Sequence, residues 1–163
     1  METITLELSL SNTQNALDKF ISDFISTYKS LLIRDNKQAS GNLINSIKPL
    51  TIDFTSSKLT GSIKLAKYWK YVEYGRKPGD KFPPLKEILN WIKIKPVLPR
   101  PINGIKPTDK QLAFLISRKI ARDGIKAGNQ YSEALDLVWE RNKDNISNAI
   151  SLDLQQIIDT IKL

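Results

Sequence analysis

Two long stretches of the chain repeat apolar residues at three- and four-residue steps, and they bracket everything else. In residues 12–34 the repeat runs Leu17, Phe20, Ile21, Phe24, Ile25, Tyr28, Leu31 and Leu32. In residues 131–162 it runs Leu135, Val138, Trp139, Ile146, Ile150, Leu154, Ile157, Ile158 and Ile161. A period near 3.6 gathers each set on one face of an α-helix, and a helix with one apolar face must bury it. Any fold of this chain has to give both helices something to pack against. Ser11 followed by Gln14 predicts a capping box at the start of the first helix. The polar run "NKDN", residues 142–145, predicts a break in the second.

The intervening and flanking segments read differently. Residues 3–10 alternate, with Ile4, Leu6, Leu8 and Leu10 on one side, which predicts a half-buried strand. "SGNLINSI", residues 40–47, predicts a short helix carrying Leu43, Ile44 and Ile47, stopped by Pro49. "LTIDFT" (50–55) and "LTGSIKL" (59–65) have period two and predict a hairpin, with Gly61 marking a bulge or a close backbone approach. "KYWKYVEYGRKPG", residues 67–79, predicts one or two helical turns with Tyr68, Tyr71 and Val72 on one side, ended by Gly75 in a left-handed conformation. A helix over 84–93 starts at Pro84 and turns Leu85, Ile88, Leu89 and Ile92 inward. Pro96, Pro99, Pro101 and Pro107 rule out helix or central strand over 94–108, a length typical of a functional or mobile loop or a spacer. Thr108 and Gln111 form a second capping-box pattern, before a helix that runs to about Gly124 or Gly128 with Leu112, Leu115, Ile116 and Ile120 inward. The expected class is α+β in a single domain over 1–163. A small antiparallel sheet, made of the N-terminal strand plus the hairpin, is packed by a long N-terminal helix and by C-terminal helices.

The available chemistry is narrow. The sequence contains no Cys and no His, which excludes disulfides and removes the commonest general base and transition-metal ligand. No glycine-rich phosphate loop is present. A nuclease built from carboxylates alone would have Asp53, Glu73 and Glu87 near its basic segment. No apolar run approaches the ~18 residues of a membrane span, and "METITLELSL" lacks the basic start and apolar block of a secretory signal. Net charge is +8, unevenly spread: residues 58–128 hold 17 Lys/Arg against 5 Asp/Glu, and the remainder 8 against 12. That segregation fits a solubilising surface, or a face for a polyanion or an acidic protein. Lys outnumbers Arg 19 to 6, which argues against base-specific DNA reading. The aromatics interleaved with Lys at 67–77 fit a core-facing stripe or a stacking platform for single-stranded nucleic acid. Glu73 fits a solvated carboxylate, or an acid paired with a base of its own chain or of a neighbouring subunit.

The order of these elements resembles the tailed-phage family of small neck and tail-completion proteins, which includes head–tail joining and minor tail components. One element carrying the resemblance is "G-x-L-x-x-S-I" ahead of the hairpin, here Gly41, Leu43, Ser46 and Ile47. Another is "Y-x-x-Y-V-E-Y/F-G" after it, here Tyr68, Tyr71, Val72, Glu73, Tyr74 and Gly75. The third is "LAFLISRKIARDGIK", residues 112–126, ahead of the last helix. Two features depart from the pattern: Gly75-Arg76 stands where relatives often have Gly-Thr, and residues 94–107 are rich in proline. The resemblance implies a structural virion protein without catalysis, cofactor, membrane or small-molecule substrate. It implies a homo-oligomeric ring of six or twelve subunits that contacts portal or connector and tail proteins and leaves a channel for DNA. Such a protein resides in the virion neck or tail, and in the host cytoplasm during assembly. The subunit and partner interface is expected at Tyr71, Glu73, Tyr74, Arg76, Lys77, Arg100, Arg118, Lys119, Arg122 and Lys126, with Arg118, Arg122 and Lys126 on one four-residue row. The basic segment is expected to face acidic neighbours, because a basic lumen would retain passing DNA. The other reading is a basic DNA-binding accessory protein of a phage or mobile element.

Overall fold

The structure, a computed structural model, describes residues 10–161 apart from 38–39, 56–57, 96, 98, 100 and 102–103. In chain order its elements are α1 (Ser11–Arg34), α2 (Asn42–Ser46), β1 (Lys48–Pro49), β2 (Asp53–Thr55), β3 (Lys58–Thr60), β4 (Ile63–Lys64), α3 (Trp69–Tyr74), α4 (Leu85–Ile94), α5 (Asp109–Asp123) and α6 (Gln130–Ile161). The class is α+β. The strand expected at 3–10 lies outside the described residues except for Leu10.

The two amphipathic stretches find each other. α1 and α6 run antiparallel: Asn12 meets Asp153 at one end, Asp23 meets Asn142 midway, and Arg34 meets Glu133 at the other end. At 1.5 Å per residue α1 is about 36 Å long and α6 about 48 Å. The last two turns of α6 therefore run on past the start of α1. The expected break at 142–145 does not occur, and α6 is continuous. Asn142 is buried, and its Nδ2 donates to Val138 O at 3.0 Å and to Asp23 Oδ2 at 3.1 Å, so its polar group is satisfied inside the helix pair.

The face of α6 that packs is not the one its largest apolar residues define. Ala134, Val138 and Ala149 are buried, whereas Leu135, Trp139, Ile150, Leu154, Ile158 and Ile161 are exposed. The cause is size. α1 supplies the bulk with Phe24, Tyr28 and Leu32, and small residues on α6 let those rings approach its backbone. Tyr131 closes this core, with its ring centroid 5.0 Å from that of Phe24, 5.6 Å from Tyr28 and 5.0 Å from Trp69.

The sheet elements are two short antiparallel pairs in one bent hairpin. β1 pairs with β4 (Pro49 opposite Ile63) and β2 with β3 (Asp53 opposite Thr60). Three residues, 50–52, thus face two, 61–62, which is a β-bulge. Gly61 sits at the bulge, and a Cβ there would lie 2.5 Å from Ile21 Cδ1, so the hairpin also approaches α1 closely at this point. Ser46 Oγ donates to Leu43 O and accepts from the Ala66 N–H, tying α2 to the chain leading into α3.

α4 and α5 pack on each other beside this body. The Thr108–Gln111 capping box forms as the sequence predicts. The buried side of α5 is Ala113, Ser117 and Ala121, with Leu112, Leu115, Ile116 and Ile120 half-buried at its margins. Ser117 Oγ donates to Pro83 O at 3.0 Å, and the Phe82 and Phe114 rings stack with centroids 6.4 Å apart.

Candidate functional site

The segment 69–79, where α3 meets the start of α6, brings together two helix ends, a buried acid and two positive-φ glycines. α3 has only six residues, too few to be stable alone. It is held because Trp69, Val72 and Glu73 turn inward while Tyr68, Tyr71 and Tyr74 face solvent at 43%, 54% and 66% exposure. Of the expected inward side, Val72 does face in, but Tyr68 and Tyr71 do not: Trp69 is the aromatic that reaches the Tyr131 ring.

Glu73 is fully buried. Its Oε2 accepts from the Tyr131 N–H at 2.7 Å, and its Oε1 accepts from the Ser132 N–H at 3.1 Å and the Ser132 hydroxyl at 2.6 Å. Those N–H groups belong to the first turn of α6, which has no intrahelical partners for them, and the helix dipole makes that turn electropositive. The contact is reciprocal. The carbonyls of Val72 and Glu73, left over at the end of α3, accept from Gly128 N–H at 3.0 and 2.9 Å, and Glu73 O also from Asn129 N–H at 3.2 Å. Glu73 therefore joins two helices of one subunit, and its expected place at a subunit boundary is corrected: no part of it reaches the surface.

A backbone clasp lies beside this joint. Arg76 N–H donates to Ile125 O at 2.9 Å, and Ile125 N–H donates to Arg76 O at 2.9 Å. Gly75 (φ +68°, ψ −155°) and Gly124 (φ +74°, ψ −167°) precede the two bridge residues in matching conformations that glycine alone adopts easily. A Cβ on Gly75 would overlap the Ile125 carbonyl oxygen, and one on Gly124 the Arg76 carbonyl oxygen. Gly75 thus has the positive φ the sequence predicts, but with an extended ψ that aims the chain at α5. The Arg76 guanidinium lies 5.4 Å from the Tyr71 ring centroid, and its Nη2 donates to Lys81 O at 2.5 Å. Tyr71 and Arg76 engage each other, while Tyr74 leans on Trp69 and Lys77 is exposed.

The remaining basic candidates lie on or near α5. Arg118, Lys119 and Arg122 are exposed, and Lys119 and Arg122 pair with Asp123 at 3.1 and 2.6 Å. Hydrogen bonds from Arg122 and then Lys119 hold the Asp123 carboxyl well below the usual carboxylate range. Lys126 does not share their row, because α5 ends at Asp123. The row extends backward instead: Lys110, Phe114, Arg118 and Arg122 follow at four-residue steps, and all are exposed. Arg100 lies outside the described residues. Asp53 and Glu87 are exposed, Glu73 is enclosed, and no metal-holding group of acids occurs among the described residues. No helix of the described residues is long and apolar enough to cross a membrane.

Sequence reasoning missed a second carboxylate of the same kind. Asp153, fully buried near the end of α6, accepts from Asn12 N–H (3.1 Å) and Asn12 Nδ2 (2.7 Å) on one oxygen, and from Thr13 N–H (2.7 Å) and the Thr13 hydroxyl (2.6 Å) on the other. It caps α1 from across the helix pair. The expected Ser11 capping box is absent: Ser11 is already helical, and the Leu10 position before it offers no side-chain cap. Burial pushes the Asp153 carboxyl up, but the Thr13 and Asn12 hydrogen bonds outweigh it and leave it below its ordinary range. The signal in the sequence was an Asp four residues after Ala149, on the stripe that packs. At the opposite end, Arg34 forks onto Glu133 (2.8 and 3.0 Å) and Asp35 (2.8 and 3.1 Å), and Asp35 sits at a pKa of about 2 because of Arg34 and then Gln130.

Among the described residues, two solvent-facing apolar areas bear on function. One is the stripe on α6 through Trp139, Ile150, Leu154 and Ile161. The other is on α4 and α5, where Phe82, Leu85 and Phe114 are exposed beside an open cleft of about 490 Å³ lined by Ile105, Pro107, Lys110, Gln111, Phe114 and Leu115. Exposed apolar areas of this kind mark interaction surfaces more than catalytic ones. Comparison with known proteins finds no matching family model, no matching curated protein and no matching solved structure.

Proposed function

We propose that the protein is a structural subunit of a tailed-phage neck or tail-completion ring, working through self-association and through contact with portal-proximal and tail proteins. The observation that carries this reading is the presence of two separate apolar surfaces on one small chain, one on α6 and one on α4–α5. Two different patches per subunit are what head-to-tail contacts require, and such contacts close into rings when the rotation between neighbours permits. The phage setting is supported by the order of the glycine–leucine–serine element, the hairpin, the "YVEYG" element and the later helix. Within that reading, the buried role of Glu73 assigns "VEYG" to building the subunit and leaves the outer faces to make contacts. Electron microscopy of the concentrated protein tests it. The expected particles are annular with an open centre, and particles of single-subunit size at every concentration would contradict the reading.

A second reading has one observation in its favour. Tyr68, Tyr71 and Tyr74 are exposed among Lys67, Lys70 and Lys77, an arrangement suited to stacking single-stranded nucleic acid. It predicts binding of a labelled oligonucleotide that weakens steeply with salt and is lost in Tyr68→Ala with Tyr74→Ala.

A further inference from the structure

Rows of opposite charge at matching spacing lie beside the two apolar surfaces, with Glu140, the middle acid on α6, paired to Lys143. On α6, Asp136, Glu140 and Asp144 form an exposed row at four-residue steps beside Trp139, which is 49% exposed. On α5, Lys110 and Arg118 stand four residues before and after Phe114 on an exposed row, and Lys110 and Phe114 line the open cleft. Each charged row spans eight residues of helix, about 12 Å. The acidic row and the basic row have the same length; Phe114 lies within the basic row and Trp139 beside the acidic one.

We propose that this acidic edge of α6 in one copy docks on the basic edge of α5 in a second copy, with the Trp139 indole entering the cleft beside Phe114. The proposal rests on the self-association reading above and adds the contact that makes it. The two faces are different, so the contact is head-to-tail, and a joined pair keeps one free basic face and one free acidic face for the next subunits. A large aromatic entering a cleft and ringed by charge supplies the affinity, while the paired rows fix orientation and speed encounter. The last turns of α6, carrying Leu154 and Ile161, extend the same apolar stripe beyond the charged row.

Sedimentation equilibrium on the intact chain tests the contact with two charge-reversed proteins, Lys110→Glu with Arg118→Glu, and Asp136→Lys with Asp144→Lys. All four positions are exposed, and unchanged melting curves establish that the variants fold. Each variant alone is expected to self-associate at least ~100-fold more weakly than the natural protein, and Trp139→Ala about 10-fold more weakly. An equimolar mixture of the two reversed proteins, and a single chain carrying all four reversals, are expected to recover association, because acid again meets base. Natural protein that associates alongside reversed variants that associate equally well would overturn this contact and leave self-association standing. So would a mixture that fails to recover. Natural protein that stays monomeric at every concentration would overturn the contact and the ring reading together.

Discussion

Both long helices start on a carboxylate taken from a distant part of the chain, α6 on Glu73 and α1 on Asp153. Both acids are fully buried, and each satisfies first-turn N–H groups that a helix cannot satisfy itself. They differ in what surrounds them. The Glu73 joint also carries backbone hydrogen bonds from Gly128 and Asn129, a reciprocal Arg76–Ile125 bridge, two glycines in conformations closed to other residues, and the Trp69–Tyr131 contact. The Asp153 joint is made by one side chain against two residues. The first fixes where three segments cross; the second only fastens one end of a helix pair already aligned by its core. Damage at the first is therefore expected to spread, and damage at the second to stay local.

The comparison orders the expected effects of substitution. Gly75→Ala should be the most severe, at about 4 kcal/mol, because backbone strain adds to overlap with the Ile125 carbonyl. Denaturant unfolding would measure it, and a loss under about 1 kcal/mol would mean the clasp yields easily. Glu73→Ala should cost about 3 kcal/mol, since three donors lose a charged acceptor in a buried place. Asp153→Asn should cost about 1.5 kcal/mol, because an amide oxygen still accepts part of what the carboxylate accepted. Hydrogen exchange should then rise only in the first turn of α1 and the end of α6.

Acid sharpens the same contrast. The folded Asp153 carboxyl titrates below its unfolded value of 3.8. Its contribution is therefore complete above that value and is lost as pH falls through the lowered folded value. The stability difference between the natural protein and Asp153→Asn should stay constant at neutral pH and shrink on acidification below about pH 4. Ser11→Ala should change stability by less than ~0.5 kcal/mol, as Ser11 caps nothing.

The joint with more backbone in it was also the more legible one. "YVEYG" announces itself because a glycine, clustered aromatics and an isolated acid are unusual neighbours; Val72 faces in as its spacing predicts, whereas Tyr68 and Tyr71 face out. A six-residue helix offers too few turns for periodicity to choose between Tyr71 and Trp69, and Tyr131, which makes the choice, lies some sixty positions away. The two long helices, the hairpin, the Gly61 bulge and the Thr108 cap were all legible from local pattern. The packing face of α6 was not. Hydrophobicity points to Trp139 and Ile150, whereas the large side chains of α1 pack on Ala134 and Val138. Asp153 stayed hidden for the same reason, since a cap supplied by another helix leaves no mark near the residues it caps. The apolar residues displaced from the packing face are the ones now exposed on α6, so the misread stripe is also the surface that the functional proposal uses.

Glu73 builds the subunit, and on the proposed reading the outer faces of α5 and α6 assemble it. Glu73→Gln, studied by melting and by light-scattering mass well below its melting temperature, tests both halves at once. The expected result is a clear fall in melting temperature with the same oligomer mass as the natural protein. An unchanged melting temperature with a drop in mass would contradict it and return Glu73 to the boundary between subunits.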